Sequence, residues 1–477
     1  MKIIYWMLFF ALFMYAKNLQ AGFDEAMALY KTGNFVEAFP AFREVAELGD
    51  KEAQFNLGVM YYHGHGVEPN PAEAAAWLRL ANEAQVPHWQ GPLNTITSSL
   101  TPAQMKQAET LYQKLASRYS DAALTESVLP VIIESDTRPF SADQVTPLHM
   151  QEPEWPPGTL QNGIPGQVLI RFDLDPLGKP RNAVIADALP EGIFEMSALV
   201  ATDKWTFEPG KDKSGTPIWL KNVTYQLEYQ LHEGPEIGEL LADQIREARN
   251  NALAGSASDQ YLYAHFGHLI KIDGAPFTRS LWYAKAAIQG HAMAQYQLAL
   301  RLFHGNGFVA DKKKFLVWLK RSASNNHPPA QLLLADQFLQ SNSLESIRQA
   351  EYWLSRAADA SYAPAKVKLA WLLATTGYPE IRDGDRAMKM IDTVDFSYFD
   401  QITVNEVKAA AQAARGNFRK AIRHQKHALR EAKSRHVYIQ DINHRMSLYK
   451  ARKAVISHTG YSGQSSVNKD KAAAQES

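Results

Sequence analysis

Cysteine is absent from this sequence of 477 residues. Its absence excludes disulfides, thiolate metal sites, a cysteine nucleophile and a lipid-modified N-terminal cysteine. A charge imbalance is absent as well, because 50 Lys and Arg residues stand against 50 Asp and Glu residues. The overall charge therefore gives no argument for a nucleic-acid partner or for a generally acidic ligand.

A long apolar segment is also missing. A membrane-spanning helix needs about 20 apolar residues, whereas the apolar run Ile3 to Ala16 contains only 14. That run follows Lys2 and precedes a small residue, Ala21, which is the pattern of a secretory signal peptide over residues 1–21. We expect the remainder to be soluble on the far side of a membrane. An uncleaved N-terminal anchor is the alternative.

The common catalytic signatures do not occur. The sequence has no Gly-x-Ser-x-Gly, no phosphate-binding loop, no Gly-x-Gly-x-x-Gly and no His-Glu-x-x-His. The segment from Asp173 through Asp175 to Gly178 begins like a calcium loop but lacks the later acidic ligands, so we interpret it as a hairpin turn. We predict that the chain is not an enzyme and has no catalytic residue, cofactor or metal ion.

The chain does contain an internal repeat. Trp282, Trp318 and Trp353 recur after 36 and then 35 residues, and alanines recur at the same intervals. Such a period predicts a solenoid of helix pairs, each of which buries its apolar face against the neighbouring pairs.

The residues of this repeat carry a family resemblance. They resemble the Sel-like repeat, a relative of the tetratricopeptide repeat. The resemblance is carried by Ala53 to Gly58, His63 to Val67, Trp77-Leu78 and Ala286 to His291. Two later segments are predicted as further units, the second closer to a tetratricopeptide repeat: Ala365 to Val394 and Phe399 to Ala432.

Two histidines in one repeat loop suggest a metal site at first. His63 and His65 are separated by a glycine, but the corresponding positions of a later repeat are His304 and Asn306. We therefore interpret the loop as shared turn geometry, in which Gly64 and its neighbours supply the backbone angles. His291 and His327 are likewise interpreted as residues that mark the end of a repeat.

One segment, Trp155 to Leu231, is predicted to form a sheet. From Trp219 to Leu231 apolar and polar residues alternate, which predicts a strand with one apolar and one solvated face. Gly166 to Asp173 predicts a second strand that returns through Ala183 to Ala188 after a tight turn. Helical spacing from Ile193 to Ala201 predicts one covering helix.

This segment resembles the C-terminal domain of TonB-type energy transducers. The resemblance rests on the Gly-x-x-Gly-x-Val start at Gly163, the turn at Asp175 to Gly178, and the Trp-x-Phe-x-Pro motif at Trp205. It implies that the last strand lies at a sheet edge and pairs with an extended segment of another protein. The partner-binding residues implied on that edge are Lys221, Val223, Tyr225, Leu227 and Tyr229.

The predicted fold is mainly α, an α-solenoid of Sel-like and tetratricopeptide-like helix pairs with an inserted small α/β domain. The expected segments follow the chain: 1–21 signal peptide, 22–90 N-terminal repeats, 91–150 helix and irregular connector (with Gln85 to Pro102 as a connection), 151–233 α/β domain, 234–456 second repeat array and 457–477 disordered tail.

Charge is distributed unevenly between two of these segments. Residues 408–453 carry thirteen bases and two acids, a net +11, whereas residues 151–233 carry seven bases and twelve acids, a net −5. The basic end could contact the acidic domain, an anionic lipid or a wall polymer, or it could be a solvated capping repeat.

The resulting functional hypothesis is a non-catalytic periplasmic adaptor that binds other envelope proteins, including an outer-membrane receptor segment, and no nucleic acid. A TonB-type energy transducer anchored in the inner membrane by Ile3 to Ala16 is the alternative. A cell-wall enzyme is a third possibility and requires a pocket of converging acids or histidines.

Overall fold

The computed structural model describes residues 21–47, 49–84, 86–120, 145–229, 239–266, 279–394 and 400–457, with 123, 130 and 132. Apart from Ala21 and Ser457, the predicted signal peptide and tail lie outside these residues. The described chain is mostly helical with a small β-rich region, which confirms the predicted fold class. Within it, no helix combines the length and apolar character that crossing a membrane requires.

The chain divides into two compact units. The first comprises Met14–Glu134 and Ser280–His327, and the second comprises Met1–Phe13, Ser135–Arg279 and Pro328–Ser477. The described helices of the first unit are α1 Ala21–Lys31, α2 Phe35–Glu47, α3 Lys51–His63, α4 Pro71–Ala81, α5 Gln90–Ser99, α6 Pro102–Tyr119, α10 Arg279–Ile288 (from Ser280 onward), α11 Ala292–His304 and α12 Lys312–Ser324.

The sequence marks where these helices begin. Asn70 caps α4 by accepting the N–H groups of Ala72 and Glu73, both at 3.1 Å. Thr101 caps α6 in a reciprocal capping box with Gln104. Caps of this kind satisfy N–H groups that a helix cannot bond internally.

The expected connection from Gln85 to Pro102 is wrong for most of its length, because α5 forms there after a short 3-10 turn, Pro87–Trp89. Leu93 and Ile96, one turn apart, bury themselves against α4 and α6. The Ser and Thr residues that suggested a loop bond back to carbonyls one turn earlier, as Thr97 does to Leu93 at 2.8 Å. Burial of two side chains thus outweighs a composition typical of loops.

The second unit contains the sheet and the remaining helices. Its described helices are α7 Glu195–Thr202, α8 Glu239–Leu253, α9 Ala257–Phe266, α13 Pro328–Phe338, α14 Leu344–Asp359, α15 Ala363–Thr375, α16 Gly384–Asp392, α17 Gln401–Ala414, α18 Phe418–Ser434 and α19 Gln440–Lys450. Helices α13 to α19 pack in sequence as helix pairs. A buried network joins the last three, in which Glu406 accepts from Gln425 at 3.1 Å and from Arg445 at 2.8 Å.

The α/β domain is built on a three-stranded antiparallel sheet in the order β3-β2-β7. The strands are β2 Gly166–Leu174, β3 Pro180–Leu189 and β7 Leu220–Tyr229. The hairpin and the covering helix α7 match the predictions. Two small antiparallel pairs were not predicted, β1 Pro147–His149 with β4 Thr206–Phe207, and β5 Gly210–Lys211 with β6 Pro217–Ile218.

The apolar face of the sheet forms the domain core. Phe172, Phe194, Trp205 and Phe207 are almost fully buried there. Gly166 lies so close to this cluster that a Cβ atom would come within 2.2 Å of the Phe194 ring. The glycine is therefore required by packing rather than by backbone conformation.

The opposite face of the sheet is also buried, so the prediction of a solvated polar face is wrong. Thr224 and Gln226 of β7 are 2% and 7% exposed. Gln226 shares this face with Asp187 of β3, because both lie opposite Leu169. Asp187 contacts Tyr261 of α9. Polar side chains on this face therefore meet a polar helix surface instead of water.

Candidate functional site

The β3 edge of the sheet is held to the last helices of the second unit by a buried ion pair. Arg181 Nε lies 2.6 Å from Asp400 Oδ2, and the two side chains are 4% and 8% exposed. Arg435 donates to the other oxygen of Asp400 at 2.9 Å. Burial alone would raise the pKa of Asp400, but the two guanidinium groups hold it below its usual value.

Asp400 also begins helix α17, since its Oδ1 accepts the N–H of Ile402 at 3.1 Å. Next to it, Thr403 donates to Asn182 Oδ1 at 2.5 Å. Asn182 has a φ of 57°, a left-handed conformation that asparagine tolerates better than most residues. A bulge in β3 and the N-cap of α17 therefore meet at one buried polar junction.

The hairpin turn contacts the loop between α18 and α19. Asp175 accepts the N–H groups of Leu177 and Lys179 at 2.8 and 3.0 Å, which confirms the predicted hairpin turn between β2 and β3. Its second oxygen accepts the N–H of Tyr438 at 2.9 Å. Trp219 donates its indole N–H to Asp441 at 3.1 Å.

A small pocket lies at this junction. Its charged members are already engaged, since Arg181 pairs with Asp400 and Arg445 pairs with Glu406. Their arrangement is that of a structural network. Among the described residues, no three His, Asp or Glu side chains are grouped closely enough to hold a metal ion.

The far end of β3 makes a second set of contacts. Tyr261 donates to Asp187 with 2.9 and 3.1 Å to its two oxygens, and His265 Nε2 lies 3.6 Å from the same carboxylate. Asp187 and His265 are each 2% exposed at the side chain. Tyr362, the N-cap residue of α15, donates to the carbonyl of Ile185 at 3.1 Å. Helices from two parts of the second unit thus cover β3 at both ends.

The β7 edge differs. Within the described residues β7 pairs only with β2, from Gly166 opposite Tyr229 to Leu174 opposite Leu220. An antiparallel strand directs every second N–H and C=O away from its partner. Those groups on the outer side of β7 form the edge at which another strand could add.

The five predicted partner-binding residues lie along this edge in three environments. Val223 and Tyr229 are each 3% exposed and belong to the domain core. Tyr225 and Leu227 are partly buried against the same core. Lys221 is exposed, lies over the Trp219 ring and is 3.5 Å from Asp173.

Lys221 also shows a shifted ionisation. The side chain of Lys221 is 39% exposed, yet the protein around its ammonium group removes enough water to lower the pKa; Asp173 opposes this shift and Lys368 adds to it. Both ends of β7 carry charge, because Glu228 Oε1 near the other end lies 3.8 Å from Arg279 Nη1.

The histidines of the repeats have structural roles. His65 Nδ1 is 3.0 Å from the Tyr30 hydroxyl, and its ring stacks on Phe35 at 4.1 Å. Gly64 ends α3 with a φ of 71°, as the shared-turn interpretation requires. His291 accepts the N–H of Ala294 and so caps α11, and burial lowers the pKa of His291 to about 4, which keeps its ring neutral.

Two family models match the chain. The Sel1 repeat matches residues 51–85, 281–291, 292–327 and 328–362, and the Gram-negative bacterial TonB protein C-terminal matches residues 151–231. The chain carries Sel1 repeats and a TonB C-terminal domain. Both resemblances read from the sequence are thereby confirmed, and the α/β domain is called the TonB-like domain below.

One curated relative is Protein TonB of Escherichia coli strain K12, 37% identical over 80 residues. The match covers 17% of this chain and 32% of that protein, so it spans about a third of the length of the relative.

Two solved structures match the chain at low sequence identity. One is a Sel1 repeat protein from Oxalobacter formigenes, with 16% identity, 77% of this chain and 97% of that chain covered, and a TM-score of 0.28. The other is a protective antigen of uropathogenic Escherichia coli strains displaying an SLR fold, with 17% identity, 88% and 80% covered, and a TM-score of 0.30. At these scores neither bears on function.

Proposed function

We propose that this protein is a non-catalytic scaffold of the periplasm that binds an extended segment of another envelope protein on strand β7. The observation that carries the proposal is the position of β7, which pairs with β2 on one side only among the described residues. In β-augmentation the main-chain hydrogen bonds supply affinity and alternate side chains supply selectivity. The Sel1 repeats serve as the supporting scaffold and as a further surface for proteins.

The contacts at the two edges of the sheet favour strand addition at β7 and not at β3. Arg181 and Asp187, near the two ends of β3, are bonded to the protein's own helices. A partner strand is therefore expected beside Lys221, Val223, Tyr225, Leu227 and Tyr229. Other envelope proteins, including an outer-membrane receptor segment, are the proposed partners.

The absence of cysteine makes a direct test possible, because one introduced thiol is the only one in the chain. Lys221→Cys places it at the exposed end of β7, and Lys213→Cys places it on an exposed turn of the same domain. In intact cells, a thiol-reactive photocrosslinker should capture a defined partner from position 221 and much less from position 213. Equal capture from both positions would reject strand addition at β7.

The identity of the captured protein refines the proposal. An outer-membrane receptor would favour a TonB-like link to transport, whereas a soluble envelope protein would favour the adaptor role. The crosslinked peptide should come from an extended segment, which mass spectrometry of the product can establish.

An energy transducer is the second candidate, favoured by the 37% identity to Protein TonB over the C-terminal region. It requires Ile3 to Ala16 to remain as a membrane anchor. Mass spectrometry of the protein from cells tests this directly. A mature chain that begins at Gly22 would exclude transduction by this chain alone, whereas a chain retaining its first residues in the membrane fraction would support it.

A separate contact is proposed between the basic C-terminal helices and an anionic surface. This contact uses different residues from those of strand β7, so it can be tested independently of strand addition.

A further inference from the structure

Helix α18 carries a band of exposed cations on one face. Its exposed basic residues follow helical spacing along about 21 Å of axis, and they are Arg419, Lys420, Arg423, Lys426, Arg430 and Lys433. The helix has one acidic residue, Glu431, so six bases and one acid leave a net charge of +5. Across the described part of the chain, none of the six bases has a carboxylate at salt-bridge distance.

The opposite face of α18 packs into the repeat array through small and polar residues. Ala421, Gln425, Ala428 and Ala432 are fully buried, and Gln425 bonds to Glu406 and to the carbonyl of Ile442. No large apolar residue of α18 is exposed. The outer face thus offers charge without any group that would enter a hydrocarbon layer or an apolar pocket.

The close spacing of these like charges destabilises helix α18. Arg419 and Arg423 are four residues apart, as are Lys426 and Arg430, and Arg423 and Lys426 are three apart. Like charges at these spacings repel each other on a helix. Arg419 and Lys420 also stand in the first turn, where the helix dipole disfavours cations. A face that breaks two rules of helix stability in this way is expected where it serves binding.

We propose that the outer face of α18 docks the protein on a membrane surface rich in anionic phospholipid. Clusters of four to eight Lys and Arg residues on a helix face are the typical size for such binding. Protein interfaces usually add aromatic or apolar anchors and are depleted of lysine at their centres. This face has lysine and no such anchor, which favours lipid headgroups over an acidic protein.

The inference sharpens the anionic contact proposed above and does not depend on strand addition at β7. Loss of vesicle binding and loss of crosslinking at position 221 are separate readouts. Either one can fail while the other holds.

The test is co-sedimentation of the protein without residues 1–21 with two kinds of vesicle. One kind is phosphatidylcholine alone, and the other is phosphatidylcholine with about one third phosphatidylglycerol. Binding is expected to the anionic vesicles only, and to disappear near 1 M salt, where the Debye length is about 3 Å. Replacing three exposed cations, Arg423→Gln, Lys426→Gln and Arg430→Gln, should weaken the partition about 100-fold.

The matched control removes the same number of exposed cations from helix α6, as Lys106→Gln, Lys114→Gln and Arg118→Gln. It should bind as the unmodified chain does. Because the α18 variant removes like-charge repulsion, its thermal midpoint should be unchanged or higher, which excludes unfolding as the cause.

Three outcomes would overturn the inference. Equal binding to neutral and anionic vesicles would show that charge is not responsible. An α18 variant that binds as well as the α6 control would place the contact elsewhere. Binding to soluble polyglutamate, lost in the α18 variant, without any vesicle binding would replace the lipid with an acidic protein segment.

Discussion

Strands β3 and β7 flank the same central strand, and the rest of the chain holds them in different ways. Near its two ends β3 places Arg181 and Asp187 against helices of its own unit. Among the described residues β7 forms strand pairs with β2 alone, and its charged side chains make longer contacts, Lys221 at 3.5 Å from Asp173 and Glu228 at 3.8 Å from Arg279. Natural sheets protect their edges from unwanted pairing. Here one edge is protected by the protein itself, and the other is the edge at which we propose that a partner binds.

The largest expected effect concerns the buried ion pair of β3. Asp400→Asn keeps an N-cap oxygen for α17 but leaves Arg181 without its counter-charge in a buried site. Breaking a buried pair in this way typically costs about 3 to 5 kcal/mol, which urea unfolding would measure.

A matched control exists because Arg435 also contacts Asp203, whose side chain is 56% exposed. Asp203→Asn should cost less than about 1 kcal/mol. Similar losses for the two variants would show that the β3 junction is no more important than a surface contact.

The same junction predicts how stability depends on pH. Because the folded pKa of Asp400 lies below its unfolded value, its contribution is fully present above about pH 4 and is lost as the pH falls through the lower folded pKa. The urea midpoint should therefore fall in acid, and less steeply in Asp400→Asn. Identical slopes for the two proteins would contradict the ion-pair account.

The other end of β3 is expected to contribute less. Tyr261→Phe removes a donor from the buried carboxylate of Asp187, at a cost of about 1 to 3 kcal/mol. Tyr378→Phe loses a bond from its hydroxyl to the Asn342 carbonyl in an exposed place, so it should cost less than about 0.5 kcal/mol. Hydrogen exchange would show whether the first change loosens β3 selectively.

The smallest change in stability is expected on β7. Lys221→Ala removes an exposed side chain whose ion pair with Asp173 is long, so the free energy of unfolding should change by about 0.5 kcal/mol or less. A loss as large as that of Asp400→Asn would mean that β7 is held as firmly as β3, and would weaken the case for strand addition.

Much of this architecture could be predicted because its signals are local. Trp282, Trp318 and Trp353 fixed the repeat period, and residue alternation located β2 and β7. The turn at Asp175 was predictable because proline and glycine restrict the backbone there. In the structure Asp175 accepts the backbone N–H groups of Leu177 and Lys179 in this turn.

The contacts that could not be predicted join residues that are far apart in the sequence. Arg181 and Asp400 are 219 positions apart, and no periodicity connects them. Alternation in β7 separated Thr224 and Gln226 from the apolar residues, but it could not show that other polar groups, rather than water, would cover them. The opposite net charges of the two segments did indicate an attraction, and one such contact joins Arg435 to Asp203.

The separation of Arg181 from Asp400 has a consequence for the nascent chain. Ribosomes add residues from the N-terminus, so β3 is complete while its counter-ion is still 219 residues away, roughly 10 to 40 seconds at ordinary rates of synthesis. During that interval the Arg181 end of β3 lacks the Asp400 carboxylate that pairs with it in the folded chain. A chaperone that shields β3 until the last helices emerge would therefore assist this protein early, and its need would end once α17 arrives.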